Sequence, residues 1–305
     1  MLRDLSLLDG IALALASAAA MTVGNLLRVR GVHSVEEQAR AGVGGTPSKS
    51  LVRDPTWAAG ALLLVVAILL QVSALVVAPL VVVQPVTVSA LVFSTLLTAV
   101  VTKRPPTARA VRAILLCVVG VAAFVAVAAR VGTEPVGRAV DLVAVLVVFV
   151  GALGVAVVVH LIDRRRSMPP LVWVVLGGTF AAFVAVLGKT VILQVQSPSI
   201  AMNLSWNVTN TLTMACIMGI GVAVASAFHF ARRAYVSNRS DVALAGLTIV
   251  EPAVAVALGA AVLHEAAGAP AWAVAAFLGS GTVAVGGVIA LSRSTEVGEP
   301  SRAGV

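Results

Sequence analysis

The chain has 305 residues, 60% of them hydrophobic and 11% charged, whereas a soluble domain carries about 25% charged residues. Together with a mean hydropathy of +1.06, this composition excludes an ordinary water-soluble enzyme. The formal net charge of +8 fits basic loops that orient membrane helices, since no soluble basic domain exists to present the charge to nucleic acid.

At about 20 apolar residues per crossing, runs long enough to span a bilayer occur at about 7–28, 57–78, 80–101, 110–129, 139–161, 170–193, 208–230, 242–263 and 270–291. The first begins behind Arg3 and contains ALASAAA, which resembles a cleavage site. Its apolar residues nevertheless continue to Leu27 and stop at Arg28 and Arg30, which favours a retained span over a cleaved one. The cytoplasmic loop 29–56 follows, and its 31–55 segment (His33, Glu36, Glu37, Gly42–Gly45) reads as a flexible linker with room for one short helix. Spans two and three form one apolar stretch, divided at Ala78-Pro79 because proline disfavours helix continuation. Pro105-Pro106, Pro135, Pro169-Pro170, Pro198 and Pro270 fall in loops by the same reasoning. Asn203 and Asn207 sit in glycosylation-type sequons between spans six and seven. Cys117 and Cys216 lie inside apolar runs and read as buried thiols.

Counting along nine spans puts 17 Lys and Arg residues on one side and 3 on the other, with Lys189 inside a span. Positive residues mark the cytoplasmic side. The expectation is a multi-pass protein of the plasma (inner) membrane, with its N-terminus outside and its C-terminus in the cytoplasm.

Segments 81–100 and 247–266 resemble each other, with Gln84-Pro85 against Glu251-Pro252. TVGNLL (22–27) resembles VLGKTV (186–191), setting Asn25 against Lys189. Spans 1–4 then match spans 6–9, and span 5 is a single connector, so the two halves cross the membrane in opposite senses. The predicted fold is an all-α polytopic membrane protein of about nine helices: two inverted four-helix repeats joined by one connecting helix. Its parts are 1–130, the connector at 131–166, 167–292, and a tail at 293–305. Inverted repeats are a recurrent plan of secondary transporters.

The segment APLVVVQPVTVSALVFSTLLTAVVTKRPPTARAVRAILLCVVGVAAFVAVA resembles the second half of a repeat of the drug/metabolite transporter (DMT) superfamily, EamA-like. LAGLTIVEPAVAVALGAAVLHE resembles its counterpart in the second repeat, with Glu265 just beyond the span. The nine spans and GNLLRVRG are similar to the branch of NIPA-type magnesium transporters. The resemblance runs from about residue 7 to residue 291 and implies a transporter with a central cavity.

Charges inside spans are costly and usually meet a cavity or a partner. Glu251 lies roughly 13 Å into its span, near the midplane, beside Pro252, whose freed carbonyls could serve a cation or solute. Lys189 lies roughly 28 Å from the inner face and is expected to snorkel to the outer headgroups; an ion pair to Glu251 is the alternative. Gln71 and Gln84 sit at a similar depth around the turn between spans two and three. The inner set is Asn25, His229 and Glu251. The expected substrate or ion site therefore draws on Glu251, Lys189, Gln84, Asn25 and Gln71, with Glu251 as a metal ligand if the substrate is divalent. His160, His229 and His264 fall at span ends and read as interfacial. Small-residue steps such as Gly177-Gly178 and Gly279-x-Gly281 serve packing.

No P-loop, metal-spaced Cys/His set or nucleophile triad is present. The expectation is no enzyme and no cofactor: a secondary carrier of a small solute, proton-coupled through Glu251 as one option. A magnesium or divalent-cation pathway and a non-transporting scaffold or lipid-handling protein are the alternatives. Expected partners are the solute or ion and the lipid bilayer, with no nucleic acid; a homodimer stays open.

Overall fold

The computed structural model describes residues 2–40, 54–103, 107–131, 139–166, 168–196, 208–238, 240–266 and 268–296. Ten helices occur among them: α1 Leu2–Arg40, α2 Pro55–Val77, α3 Leu80–Thr87, α4 Ser89–Thr102, α5 Ala108–Val131, α6 Ala139–Asp163, α7 Leu171–Val195, α8 Val208–Ser237, α9 Ser240–Ala261 and α10 Ala271–Glu296. No strand occurs among the described residues. Nine stretches are long and apolar enough to cross a membrane, α3 and α4 together forming the third. The sequons at Asn203 and Asn207, residues 41–53 of the linker and the end of the tail from 297 lie outside the described residues.

The chain forms two compact units. The first holds α1, α2 and α4. Its α1 and α2 run antiparallel with a register set by three contacts. Ser17 Oγ donates to Ala67 O at 2.7 Å, Gly24 and Gly60 meet backbone to backbone, and Gly31 lies against Trp57. Thr22 Oγ1 reaches across to Ala90 O of α4 at 3.2 Å. Small residues allow this approach, which in lipid supplies most of the association energy.

One expectation needs correction here: residues 29–40 do not form the start of a loop but continue α1 to Arg40. Two observations account for it. The stretch Val35-Glu36-Glu37-Gln38-Ala39-Arg40 is rich in good helix formers. In addition, Ser34 Oγ donates to Asp54 Oδ2 at 2.8 Å, tying the extension to the start of α2. Asp54 also caps α2, its Oδ1 accepting the Trp57 N–H at 2.9 Å, with Pro55 at the first helical position, where a missing N–H costs nothing. The Trp57 N–H, and then the Ser34 hydroxyl, hold the Asp54 carboxyl below its ordinary pKa.

The second unit holds α3 and α5 to α10. Helices α5 and α10 are antiparallel and touch through reciprocal glycines, Gly120 on Ala284 and Gly287 on Cys117. Helix α7 is the most enclosed of the spans. Its Gly177 and Leu187 meet Ala231 and Gly219 of antiparallel α8, and its Val174 and Gly178 meet Gly246 and Val250 of parallel α9. A ring cluster fills its outer faces: Phe149 lies 5.2 Å from Phe183, and Phe180 and Trp173 stack on Phe230 at 5.5 and 6.0 Å.

Candidate functional site

The second unit begins at the turn between the second and third candidate spans. Pro79 lacks an N–H and ends any continuation from α2, so α3 starts afresh inside apolar sequence. A new helix start leaves its first donors without intrahelical partners, and Ala78, Leu80 and Val81 are buried, so these groups need partners from the protein. Each group at this break is accounted for. The N–H groups of Val82 and Val83 both donate to Pro79 O at 3.1 Å. Those of Leu80 and Val81 donate to the two carboxylate oxygens of Glu265, at 3.0 and 2.8 Å. Ala78 O, left without a helical donor, accepts from Lys189 Nζ at 2.9 Å.

Both charged residues are brought there by local structure. Glu265 follows α9 in a turn whose His264 takes the left-handed backbone, φ 56°, a conformation histidine adopts more readily than most residues. The turn folds back, so that Glu265 N–H donates to Gly259 O at 3.1 Å. Glycine is needed at 259 for this approach: a Cβ there would stand 3.2 Å from Glu265 Oε2 and 3.2 Å from Leu80 Cδ2. Lys189 is set on α7, the most enclosed span, and is 2% exposed, while Glu265 is 0% exposed.

This corrects the expectation for Lys189. Its ammonium does not reach outward to headgroups; it turns inward to a carbonyl that the proline break leaves bare. The expected depth match with the span two–three turn is present, but its purpose is backbone satisfaction. Glu265 was read in sequence only as a landmark beyond span eight. The signal that could have found it is the proline itself, because a buried helix start demands an acceptor from elsewhere in the chain.

Glu251 is differently placed. It lies mid-span on α9, partly enclosed, and among the described residues no hydrogen bond or ion pair engages its carboxyl group. Its backbone N lies against α7 at Gly178, where a Cβ would come within 3.1 Å of it. Glu251 is eight residues from Gly259, roughly 12 Å along the axis; the same distance down antiparallel α3 from the Leu80–Val81 level ends near Val88, where α3 stops. Gln84 is 2% exposed, and its Oε1, like that of Gln194 on α7, meets no hydrogen-bond donor. Helices α3 and α9 touch.

Of the five expected site residues, Gln84, Lys189 and Glu251 belong to the second unit, Asn25 and Gln71 to the first. Asn25 is exposed on α1, and Gln71 is partly exposed on α2. The expected Lys189–Glu251 ion pair is not formed. No group of three or more His, Cys, Asp or Glu residues able to hold a metal ion occurs among the described residues. Both cysteines are buried free thiols. Comparison with family models, with curated proteins and with solved structures gives no match for this chain.

Proposed function

We propose that the chain is a secondary membrane transporter of a small solute, working by alternating access, with Glu251 as the group that meets solute, ion or proton. The observation that carries this reading is the sorting of the buried charges of the second unit. Lys189 and Glu265 are consumed in closing the backbone break at Ala78–Val81. Glu251, mid-span and partly enclosed, has no such structural task. A carboxylate held in a span without a partner is expensive and is retained for function by default. The unpartnered Oε1 of Gln84, on the helix that touches α9, adds a second acceptor with nothing to accept from.

The inverted plan of two four-helix repeats is part of this proposal. It is supported by the main pairings of spans, which keep their pattern when spans 1–4 are exchanged with 6–9, whereas the 7–8 contact and the contacts of the connecting span have no counterpart of similar extent. Span 1 packs on span 2 as span 6 does on span 7, and span 1 touches span 3 as span 6 touches span 8. The pairs 3–8 and 4–9 exchange into themselves. Placement in the plasma membrane with the N-terminus outside rests on the distribution of basic residues, 17 against 3. Two clusters fit that alternation: Ala78, Lys189 and Glu265 fall at one membrane face, and Asp163 with Arg233 at the other. A carrier of the drug/metabolite type is the family reading that the sequence resemblance supports.

The test is a thermal-shift screen of detergent-purified protein against small metabolites and divalent cations, with Glu251→Gln alongside. A solute that binds the folded state raises Tm by mass action. The expected result is at least one solute that raises the Tm of the wild type and leaves that of Glu251→Gln unchanged, the variant itself melting no lower than the wild type. A variant that melts several degrees lower, with no solute responding, would assign Glu251 to structure and overturn the reading.

A further inference from the structure

At the opposite end of the second unit from the proline break, the ends of α6 and α8 form a basic cluster of a different kind. His160 of α6 and His229 of α8 stand edge to face at 6.2 Å. Arg233 donates to Asp163 Oδ2 at 2.8 Å, with its guanidinium over the Trp173 ring at 4.4 Å. Asp163 Oδ1 accepts the Met168 N–H at 3.1 Å. Both oxygens of the acid are therefore occupied, one by the loop and one by Arg233. The chain turns tightly after α6, the N–H groups of Arg165 and Arg166 both donating to Ile162 O at 2.8 Å. That turn carries Arg164, Arg165 and Arg166, all exposed, and none has an acid partner among the described residues. Arg232, one residue before the paired Arg233, is likewise exposed and without an acid.

The neighbouring surface is apolar. Phe228, Arg232 and Tyr235 follow one another at helical spacing on one face of α8, and the two rings are 75% and 45% exposed. Exposed guanidinium groups without an acid partner among the described residues, at a helix end with aromatic rings beside them at the membrane boundary, match the chemistry of an anionic headgroup joined to acyl chains. Arginine also binds phosphate in a bidentate fashion.

We propose that this end of α6 and α8 binds an anionic phospholipid. Arg164, Arg165, Arg166 and Arg232 contact its phosphate, and Phe228 and Tyr235 line its chains. The proposal does not depend on the transport reading.

The test uses the full chain, delipidated in detergent and titrated with phosphatidylglycerol, with phosphatidylcholine of the same chains, and with inorganic phosphate. Tm and native mass spectrometry are the readouts. Phosphatidylglycerol should raise Tm more than phosphatidylcholine and remain bound in the spectrometer. Arg164→Gln/Arg165→Gln/Arg166→Gln should weaken its apparent affinity by about fivefold for each arginine removed, and 1 M salt should weaken it in the wild type, since salt at about that level screens beyond roughly 3 Å. Arg109→Gln/Arg112→Gln, two exposed basic residues at the start of α5, should change nothing. Equal responses to the two lipids, or equal losses in the α5 control, would overturn the proposal. So would a shift reproduced by inorganic phosphate alone, which would make the cluster an anion site without lipid. If the triple variant does not fold, Arg232→Gln and the salt dependence of the wild type decide the same question.

Discussion

Glu265→Gln is the most direct probe of how the buried backbone between spans two and three is satisfied. In the native protein its two carboxylate oxygens accept from Leu80 and Val81 at 3.0 and 2.8 Å. A carboxamide retains one acceptor and turns a donor toward the other N–H. One buried amide then loses its partner, at a cost of about 1–3 kcal/mol, and the surviving bond falls from charged to neutral, about 1 kcal/mol more. The sum is about 2–4 kcal/mol, and at the roughly 2–4 °C per kcal/mol found for chains of 150–250 residues, Tm drops by roughly 4–16 °C. Lys189→Met leaves Ala78 O bare and should cost about 1–3 kcal/mol. The two positions act on one four-residue turn, Ala78–Val81, so the double variant should be less damaged than the sum of the singles, by about 1 kcal/mol or more. The assay is thermal unfolding in detergent, followed by the fluorescence of the four tryptophans. A Glu265→Gln variant within about 2 °C of the wild type, or strictly additive losses in the double variant, would refute the reasoning.

Other outcomes follow from single contacts. Gly287→Ala places a Cβ against the Cys117 backbone, so α5 and α10 must separate or shift, and Tm should fall by an amount equivalent to about 1–3 kcal/mol; an unchanged Tm would mean that the pair is loosely packed. Asp54 is held below its ordinary pKa by the Trp57 N–H first and the Ser34 hydroxyl second. A carboxyl with a depressed folded pKa stabilises above its unfolded pKa and loses that contribution as pH falls through the folded value. Asp54→Asn should therefore flatten the dependence of Tm on pH below about 4, the ordinary value of the carboxyl being 3.8; parallel pH profiles for variant and wild type would remove Asp54 from the cap.

Much of this architecture is legible because its signals are one-dimensional. Apolar runs of span length place nine crossings, and each overlaps a structural span, the largest difference being the end of the seventh, which runs on to Ser237; the split at Ala78-Pro79 is a proline effect that needs no partner to read. The extension of α1 to Arg40 is less legible because Ser34 and Asp54, which tie it to α2, are twenty residues apart. The charged groups at the break are least legible. Depth arithmetic puts Lys189 at the level of Ala78, but depth along one axis does not say which way a long side chain turns. Glu265 is 185 residues from Leu80 in sequence. Its role becomes visible only when the unsatisfied groups behind Pro79 are counted and an acid on the same membrane face is sought.

The two polar–proline steps, Gln84-Pro85 and Glu251-Pro252, show how the residues behind a proline decide its effect. Each proline removes one helical donor, yet α3 ends two residues after Pro85 while α9 continues nine residues past Pro252. Behind Pro85 come Val86, Thr87, Val88 and Ser89, β-branched or hydroxylated residues that favour leaving the helix. Thr87 Oγ1 donates to Gln84 O at 2.7 Å, and Val88 N–H takes the shorter turn to Pro85 O at 3.2 Å. Behind Pro252 comes the alanine-rich Ala253-Val254-Ala255-Val256-Ala257-Leu258, which holds the helix across the lost bond. Hydrogen–deuterium exchange separates the two cases, since amide protection follows local opening. Amides at 87–90 should exchange faster than those at 254–257, and Thr87→Ala should narrow the gap by removing the side-chain competitor for the backbone. Equal protection behind both prolines would mean that proline alone sets the break, and that the difference between α3 and α9 has another origin.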